Sequence, residues 1–494
     1  MPWLESASPV RMARIALVCP TGSLRAMLVR VAGLGVVEID KAGADDTSAG
    51  QATLRLQAAV AAAAIHDAAI DSERAGVPVQ APVLAADPPD LDELERTGRL
   101  DLLAGEARLE AYAGAAIRGA DAVAVAGWTP TDQVDDLAIQ LEGLGCGVVP
   151  LPARGTRAPT LLTVTGMRPA LTPLVSMYAT VPYADLDPTW LAWTSYVLMF
   201  GMMFGDVGHG LLLIGVAAAL RVGWPRWVRR FRAAWPFVGG AGVAAALFGG
   251  AYGEFFGPTD LVPAIWLKPL TQPIPLLLAA AGFGAALLAV AYALGTINRW
   301  REGGWPVALY APSGIAGSVL FLGIGLAAVG WRIHQASLLI VSAATIAVAL
   351  VLAFTGFLAD AGGGGTGIFQ AAVELFDLVV RLGSNIVSFT RLAAFGLTHA
   401  AIGLLVWDGT LALWHRGGPE VIAAIVVFAA GNLIAFGLEA LIAAIQALRL
   451  EYYEIFSRVF LPQGRPFQPW HMPIESGTPD WTDTTDLDQL KEGV

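Results

Sequence analysis

Residues 384–399 read S-N-I-V-S-F-T-R-L-A-A-F-G-L-T-H and lie inside a long apolar run. Arg391 stands at the middle of this stretch, and neither Asp nor Glu occurs within ten positions on either side of it. An arginine keeps its charge at any accessible pH, and placing one at the centre of a membrane helix costs about 2.5–3.5 kcal/mol on insertion scales. A charge this costly predicts a function, and its partner is expected outside this helix.

The rest of the chain has the composition of a polytopic membrane protein. Its 494 residues are 55% hydrophobic and 14% charged, with a mean hydropathy of +0.60, whereas soluble chains are about a quarter charged. Long apolar runs almost all follow residue 189. We therefore expect a cytoplasmic α/β domain at 1–185, an α-helical membrane domain at 186–460 and a cytoplasmic tail at 461–494. The tail is expected to be disordered past about residue 475.

Several classes of function are excluded at this level. A net charge of −11 argues against nucleic acid as a partner. No P-loop, zinc-ligand spacing or Gly-x-Ser-x-Gly elbow occurs. The sequence therefore predicts no catalytic residue, no metal site and no cofactor.

A repeated pattern indicates how the N-terminal domain is built. Residues 13–40 read as strand, turn, helix and strand, and the same order returns 110 positions later. The shared residues are Pro-Thr at 20–21 and 130–131, and Gly-Leu-Gly at 33–35 and 143–145. Two related α/β lobes are expected. Residues 47–76 and 90–118 have helical spacing and predict a short helical arm, although an ordinary globular domain fits the pattern equally well.

The apolar runs predict about eight membrane crossings with both termini in the cytoplasm. The first two form a tight hairpin near residues 205–210, because five arginines at 221–232 are expected on the cytoplasmic side. The other six are expected at about 233–256, 275–298, 306–331, 335–358, 384–413 and 420–457, and the last two are long enough to require tilting. Residues 298–302 are expected to form a cytoplasmic loop, and residues 359–380 to lie along the cytoplasmic surface.

Two stripes of polar residues follow the last two predicted crossings. Ser384, Ser388 and Arg391 fall on one helix face, and His399 lies at its edge. The next helix carries a stripe spaced at seven, followed by an arginine: Asn432, Glu439, Gln446 and Arg449. Facing polar stripes are typical of a proton or cation path, but a hydrogen-bond network that only joins the helices is equally compatible with the spacing.

For the other polar residues of the membrane half, the sequence pattern is less informative about function. Asp206 and His209, in F-G-D-V-G-H-G, are interpreted as part of a structural turn in preference to a functional role. Glu254 fits either the mouth of a path or a simple interface. Glu451 and Glu454 are expected to be solvated near the cytoplasmic end of the last helix.

Together these segments resemble subunit a, also called subunit I, of the V-type and archaeal-type rotary ATPases. The resemblance rests on the order and spacing of motifs across the whole membrane domain. They are D-P-T at 187–189, F-G-M-M-F-G-D-V-G-H-G at 200–210, S-N-I-V-S-F-T-R-L-A-A-F-G-L-T-H-A at 384–400, L-E-A through A-L-R-L-E at 438–451, and Q-G-R-P-F-Q-P at 463–469.

The resemblance implies a non-catalytic stator that provides two offset proton half-channels beside a rotating proteolipid c-ring in the cell membrane. By motif position, Arg391 matches the essential arginine of the family, and His399, Glu439 and Arg449 match the residues that support it. The implied partners are the c-ring, central and peripheral stalk subunits, and membrane lipid. Compared with the family, the N-terminal domain is shortened. A stand-alone ion transporter or channel is the main alternative, and a non-transporting scaffold is a second one.

Overall fold

The structure is a computed structural model that describes residues 8–40, 50–59, 81–153, 156–162, 168–460 and 463–475. It divides into two compact units. The sheet unit comprises Val10–Leu161 and Arg465–Val494, and the helical unit comprises Met1–Pro9 and Leu162–Gly464. Much of the predicted arm (47–49 and 60–76) and the predicted disordered tail past residue 475 lie outside the described residues.

The sheet unit is a small α/β domain. Its strands are β1 (Met12–Pro20), β2 (Glu38–Ile39), β3 (Leu84–Ala85), β4 (Ile117–Arg118), β5 (Ala122–Pro130), β6 (Gly147–Pro150) and β7 (Ile474–Glu475). Its helices are α1 (Leu24–Leu34), α2 (51–59), α3 (Leu91–Thr97), α4 (Leu100–Gly114) and α5 (Val134–Glu142). The main sheet has the order β2-β5-β1-β6, with β4 also paired to β5.

The two copies of the sequence repeat share this one sheet. Each copy is a strand, a short 3₁₀ turn, a helix and a second strand, and the long strands β1 and β5 pair antiparallel along their full length. The second strand of each copy pairs with the first strand of the other copy. The buried faces of α1 and α5 contribute to a single apolar core with the strands, which is how two short repeats bury enough surface to be stable.

The helical unit is built from apolar helices. They are α6 (Arg168–Ser176), α7 (Thr189–Met203), α8 (Val207–Val222), α9 (Trp235–Tyr252), α10 (Pro273–Tyr310), α11 (Ile315–Arg332), α12 (Ala336–Asp360), α13 (Gly364–Ser388), α14 (Thr390–Trp414) and α15 (Glu420–Leu450). A π-helical segment (Glu451–Phe456) and the short α16 (Ser457–Val459) follow α15. Six helical stretches of the described residues are long and apolar enough to cross a membrane. The chain is a multi-pass membrane protein that is mostly helical, with a small α/β region.

The first predicted hairpin occurs as α7 and α8 joined by a short turn at residues 204–206. Both helices pack closely on α9 because glycines remove the side chains between them. A Cβ on Gly201 of α7 would lie 2.5 Å from the Cβ of Ala244, and one on Gly210 of α8 would lie 2.5 Å from the backbone nitrogen of Ala246. These contacts bring the turn between α7 and α8 beside the other helices of the unit.

Residues 298–302 are helical, and the break in α10 comes just after them, at Gly303 and Gly304, whose backbone angles are not helical. Asn298 is fully buried, where its side chain accepts a hydrogen bond from the backbone of Leu186 (3.0 Å) and donates one to the carbonyl of Val459 (2.9 Å). Arg299 is also buried and forms an ion pair with Glu302 at 2.7 Å. These side chains find their partners within the protein, so the helix continues through residues 298–302 and is interrupted only at Gly303 and Gly304.

The helix carrying Arg391 also begins later than predicted. Residues 364–388 form one continuous helix, α13, so the segment expected on the membrane surface runs without interruption into the one expected to cross the membrane. The break falls at Phe389, whose fully buried ring lies against Gly284 of α10. As a result Ser384 and Ser388 lie at the end of α13, and Arg391 lies in the first turn of α14.

Candidate functional site

Arg391 is held by a neutral partner on the neighbouring helix. Its Nη1 donates a hydrogen bond to Oε1 of Gln446 on α15 at 3.2 Å, and the side chain is half-buried. Arg449 and Glu454 also act on its charge electrostatically. Within the part of the chain that the structure describes, no carboxylate forms an ion pair with Arg391. The guanidinium is therefore positioned but not neutralised.

His399 and Glu439 form the second polar contact between α14 and α15. Nδ1 of His399 contacts Oε2 of Glu439, and both side chains are nearly buried. The other carboxylate oxygen of Glu439, Oε1, has no hydrogen-bond partner among the described residues. A cavity of about 90 Å³ borders both side chains. A space of this size is large enough for several water molecules.

The α7–α8 turn brings two further polar side chains to this contact. Asp206 caps α8: its Oδ1 accepts a hydrogen bond from the backbone of His209 and its Oδ2 accepts one from the backbone of Gly257, both at 2.9 Å. The ring centroids of His209 and His399 are 5.5 Å apart. Phe204 lies against both imidazoles, 5.5 Å from His209 and 4.8 Å from His399. Asp206 thus occupies a structural turn that also faces the polar contact.

The remaining predicted residues lie near the Arg391–Gln446 contact, near the His399–Glu439 contact or near a helix end. Ser388 donates to the carbonyl of Ser384 within α13 (3.0 Å) and also lies within hydrogen-bonding reach of Glu454. Asn432 donates to the carbonyl of Phe428 in its own helix (2.9 Å). Arg449 is exposed and acts electrostatically on both Arg391 and Glu454.

The expectation that Glu451 and Glu454 are solvated is wrong. Glu451 is fully buried and Glu454 is 7% exposed. Oε2 of Glu451 accepts a hydrogen bond from Ser195 of α7 at 2.7 Å. The π-helical turn at Glu451–Phe456 changes the direction of these side chains at the end of α15, and a spacing argument based on a regular helix does not anticipate such a turn. Glu254, for which the sequence left two interpretations open, is also buried and acts electrostatically on His399.

Comparison with known proteins identifies related chains. The model of the V-type ATPase 116 kDa subunit family matches residues 118–229. The A-type ATP synthase subunit I of Thermococcus kodakarensis is 26% identical over 371 residues, which cover 70% of this chain and 54% of that protein. The protein of the same name from Pyrococcus horikoshii is 28% identical over 313 residues, covering 60% of this chain and 45% of that protein.

A shorter segment is more similar to a third relative. The A-type ATP synthase subunit I of Saccharolobus solfataricus is 38% identical over 101 residues, which cover 19% of this chain and 14% of that protein. The chain spans about half the length of the first two relatives. The family match, the relatives and the order of the membrane motifs agree, and the chain is similar to the V-type ATPase 116 kDa subunit family and to A-type ATP synthase subunit I.

Proposed function

We propose that the chain is the ion-translocating stator subunit of a V/A-type rotary ATPase. It forms proton half-channels beside a proteolipid c-ring and carries no catalytic site of its own. The observation that carries this proposal is the state of Arg391: half-buried, hydrogen-bonded to the neutral Gln446 and without a carboxylate in ion-pair contact in the described part of the chain. A membrane arginine kept in this state suits a partner that comes from another chain.

The energetics of such a contact fit a moving partner. A ring carboxylate about 4 Å from Arg391 gains roughly 4 kcal/mol in its ionised form at an effective dielectric constant of about 20. That gain is enough for the carboxylate to release its proton. One charge crossing 100 mV supplies only about 2.3 kcal/mol, so a dry, tight pair would hold the ring in place. We therefore propose a partly hydrated contact, in which Arg391 also blocks direct proton flow between the half-channels.

The other polar residues support the path in distinct ways. His399 and Glu439 form a buried pair of proton-exchanging groups next to a cavity that is large enough for water. Gln446 orients Arg391. We assign supporting roles to the remaining polar residues of the two stripes, namely Ser384, Ser388, Asn432 and Arg449. Glu454 joins this group because it acts on the charge of Arg391 from within the same unit.

The proposal includes an arrangement in the membrane. It has about eight crossings, with α7 and α8 forming the first hairpin, and both termini in the cytoplasm. The α/β domain of about 1–185 and the tail from 461 lie on the cytoplasmic side, where they meet central and peripheral stalk subunits. The exposed arginines at 221–232 suit the cytoplasmic leaflet because anionic lipid attracts them.

The first test is purification from native membranes. A stator beside a c-ring should bring with it a small and very apolar proteolipid, detectable by mass spectrometry of the purified complex. If the chain purifies alone and still carries ion flux when reconstituted, it is a stand-alone transporter or channel, and the rotary proposal is wrong.

The second test is the substitution Arg391→Ala. Proton pumping in vesicles should be lost while the complex still assembles, because only the charge that meets the ring carboxylate is removed. The control is Arg381→Ala on α13, whose guanidinium forms an exposed ion pair with Asp377 at 2.6 Å. A pair of this kind contributes about 0.5 kcal/mol or less, so pumping should persist. Normal pumping by Arg391→Ala would remove the central claim and favour a non-transporting scaffold.

A further inference from the structure

A cluster of metal-binding side chains lies where the α7–α8 turn meets α14. Asp206, His209 and His399 each offer one ligand atom, and these atoms lie within 4.8 Å of one another. All three residues are buried, with exposures of 0%, 3% and 6%. Nδ1 of His209 lies 3.6 Å from Oδ1 of Asp206.

His209 is the residue whose bonding is incomplete. Neither ring nitrogen makes a hydrogen bond of regular geometry with any described residue, although the backbone carbonyl of Asn432 lies close to the ring. A buried imidazole in this state loses its hydration without full compensation. A metal ion bound to one of its nitrogens would replace the lost hydration.

The charges around the cluster also favour a cation. Glu254 and Glu439 join Asp206 as carboxylates in this part of the unit, and the groups that act on Glu254 are His399, Asp206 and Glu439. Three carboxylates and two imidazoles therefore share one buried region. Buried carboxylates are costly unless a cation or a proton offsets their charge. A divalent cation and bound protons are the two competing ways of meeting this requirement.

From these observations we propose that Asp206, His209 and His399 form a binding site for a divalent first-row transition metal, with Zn²⁺ the best match. Two imidazoles and one carboxylate make a three-ligand set that leaves a fourth tetrahedral position for water. Glu439 completes the arrangement, because its contact with Nδ1 of His399 leaves Nε2 of that ring for the metal. A carboxylate bonded to the outer nitrogen of a metal-binding histidine is a common supporting arrangement.

The distances require a small closure on binding. Tetrahedral zinc places such ligand atoms about 3.3 Å apart, so the most distant pair must approach by at most roughly 1.5 Å. Asp206 can take part without losing its cap, because each carboxylate oxygen accepts one backbone hydrogen bond and retains a second lone pair. A metal at this position would hold His399 and stop proton exchange there. That consequence rests on the proposed function, whereas metal binding does not.

The test is equilibrium dialysis of the full-length chain, purified in detergent, against Zn²⁺, with bound metal measured by mass spectrometry. We expect about one ion per chain. His209→Gln and Asp206→Asn should weaken binding by at least about 100-fold and Glu439→Gln by about 10-fold, because loss of a supporting group usually costs 10–100-fold. The matched control is His415→Gln, which changes an exposed histidine after α14 and should leave binding unchanged.

X-ray absorption of the zinc bound to the unaltered chain provides a test that needs no variant. Two imidazoles and oxygen ligands are expected in the spectrum. An all-oxygen or sulfur-containing shell would overturn the proposal. So would the absence of bound zinc, or equal affinity in His209→Gln and the unaltered chain. Proton pumping that is lost in Arg391→Ala while zinc binding persists would separate this inference from the proposed function.

Discussion

Arg391 and His399 lie on the same helix but have different kinds of partner. Arg391 is hydrogen-bonded to a neutral amide and retains its full charge, whereas His399 contacts a carboxylate. A neutral partner orients the guanidinium without competing strongly for it, since ionised partners form hydrogen bonds about twice as strong. In the proposed function the two residues accordingly have different tasks, Arg391 meeting an external carboxylate and His399 exchanging protons within the chain.

At this scale we predict a graded effect of changing Glu439. Glu439→Ala should reduce proton pumping in vesicles less completely than Arg391→Ala, because Glu439 acts by orienting His399 through its contact with Nδ1. Glu439→Gln should restore part of the activity, since its amide oxygen can still accept a hydrogen bond from Nδ1. The control is Glu374→Ala on α13, whose carboxylate bonds to Gln370. If Glu439→Ala pumps normally, the residue only joins the two helices.

At the scale of elements, close helix packing positions the α7–α8 turn. Gly210 of α8 and Gly242 of α9 face one another: a Cβ on Gly210 would lie 2.8 Å from the carbonyl of Gly242, and one on Gly242 would lie 2.9 Å from the carbonyl of Gly210. Small residues allow membrane helices to approach this closely, and packing replaces the hydrophobic effect as the source of stability. Asp206 and His209 occupy their positions because this approach is possible.

We predict that Gly210→Ala destabilises the protein by about 1–3 kcal/mol, because the added methyl group would meet the backbone of α9. Gly215→Ala is the matched control on the same helix, where an added Cβ meets no atom within 4 Å. The control should be neutral or slightly stabilising, since alanine favours a helix over glycine by about 1 kcal/mol. The measurement is the thermal unfolding midpoint of the purified chain in detergent. Equal midpoints for the two variants would show that the packing at Gly210 is loose.

At the scale of the whole molecule, the chain returns to the sheet unit after completing the helical unit. Residues 465–475 pack on that unit, where β7 pairs in parallel with β3. The ring of Trp470 lies 4.6 Å from that of Tyr112, and its backbone nitrogen donates to the carbonyl of Val37. Segments distant in sequence thus close the core of the sheet unit.

An ion-pair network where residues 465–475 pack on the sheet unit makes the stability of this unit depend on pH. The Arg99 guanidinium forms two hydrogen bonds to Asp101 and holds the pKa of that carboxyl below its usual value, and it also bonds to Glu475 of β7. Because the folded pKa is lowered, the contribution to stability is present above the unfolded pKa of about 3.9 and is lost as pH falls through the folded value. Acid should therefore weaken the packing of residues 465–475 on the sheet unit.

Asp101→Asn should lower stability at neutral pH by about 1 kcal/mol, a modest value because Arg99 is 39% exposed. The difference from the unaltered chain should shrink below about pH 4. Cleavage of the sheet unit by an acid-tolerant protease measures both effects. The control is Asp136→Asn, an exposed carboxylate of α5. A difference between Asp101→Asn and the unaltered chain that stays constant from neutral to acid pH would contradict this account.

The sequence by itself determined the features that depend on helical or strand periodicity and on the free-energy cost of a charge in the membrane. An uncompensated arginine in an apolar run indicated function at Arg391, the spacing of seven placed Gln446 and Glu439 on one face of α15, and the repeat predicted both strand–helix–strand copies. Local pattern alone carries these features, because side-chain direction follows the helical or strand period. The local pattern did not predict where α14 starts, that α10 continues past Asn298, or that Glu451 is buried.

Only the tertiary structure decided how the polar groups combine. Asp206 and His209 lie at least 190 positions before His399, and no local pattern relates them. They meet because glycines let α8 approach α9 and because Phe389 docks on Gly284, and such contacts depend on shape complementarity between distant segments. The sequence therefore predicted Arg391 as a functional residue, and the packing of the helices determined which side chains surround it.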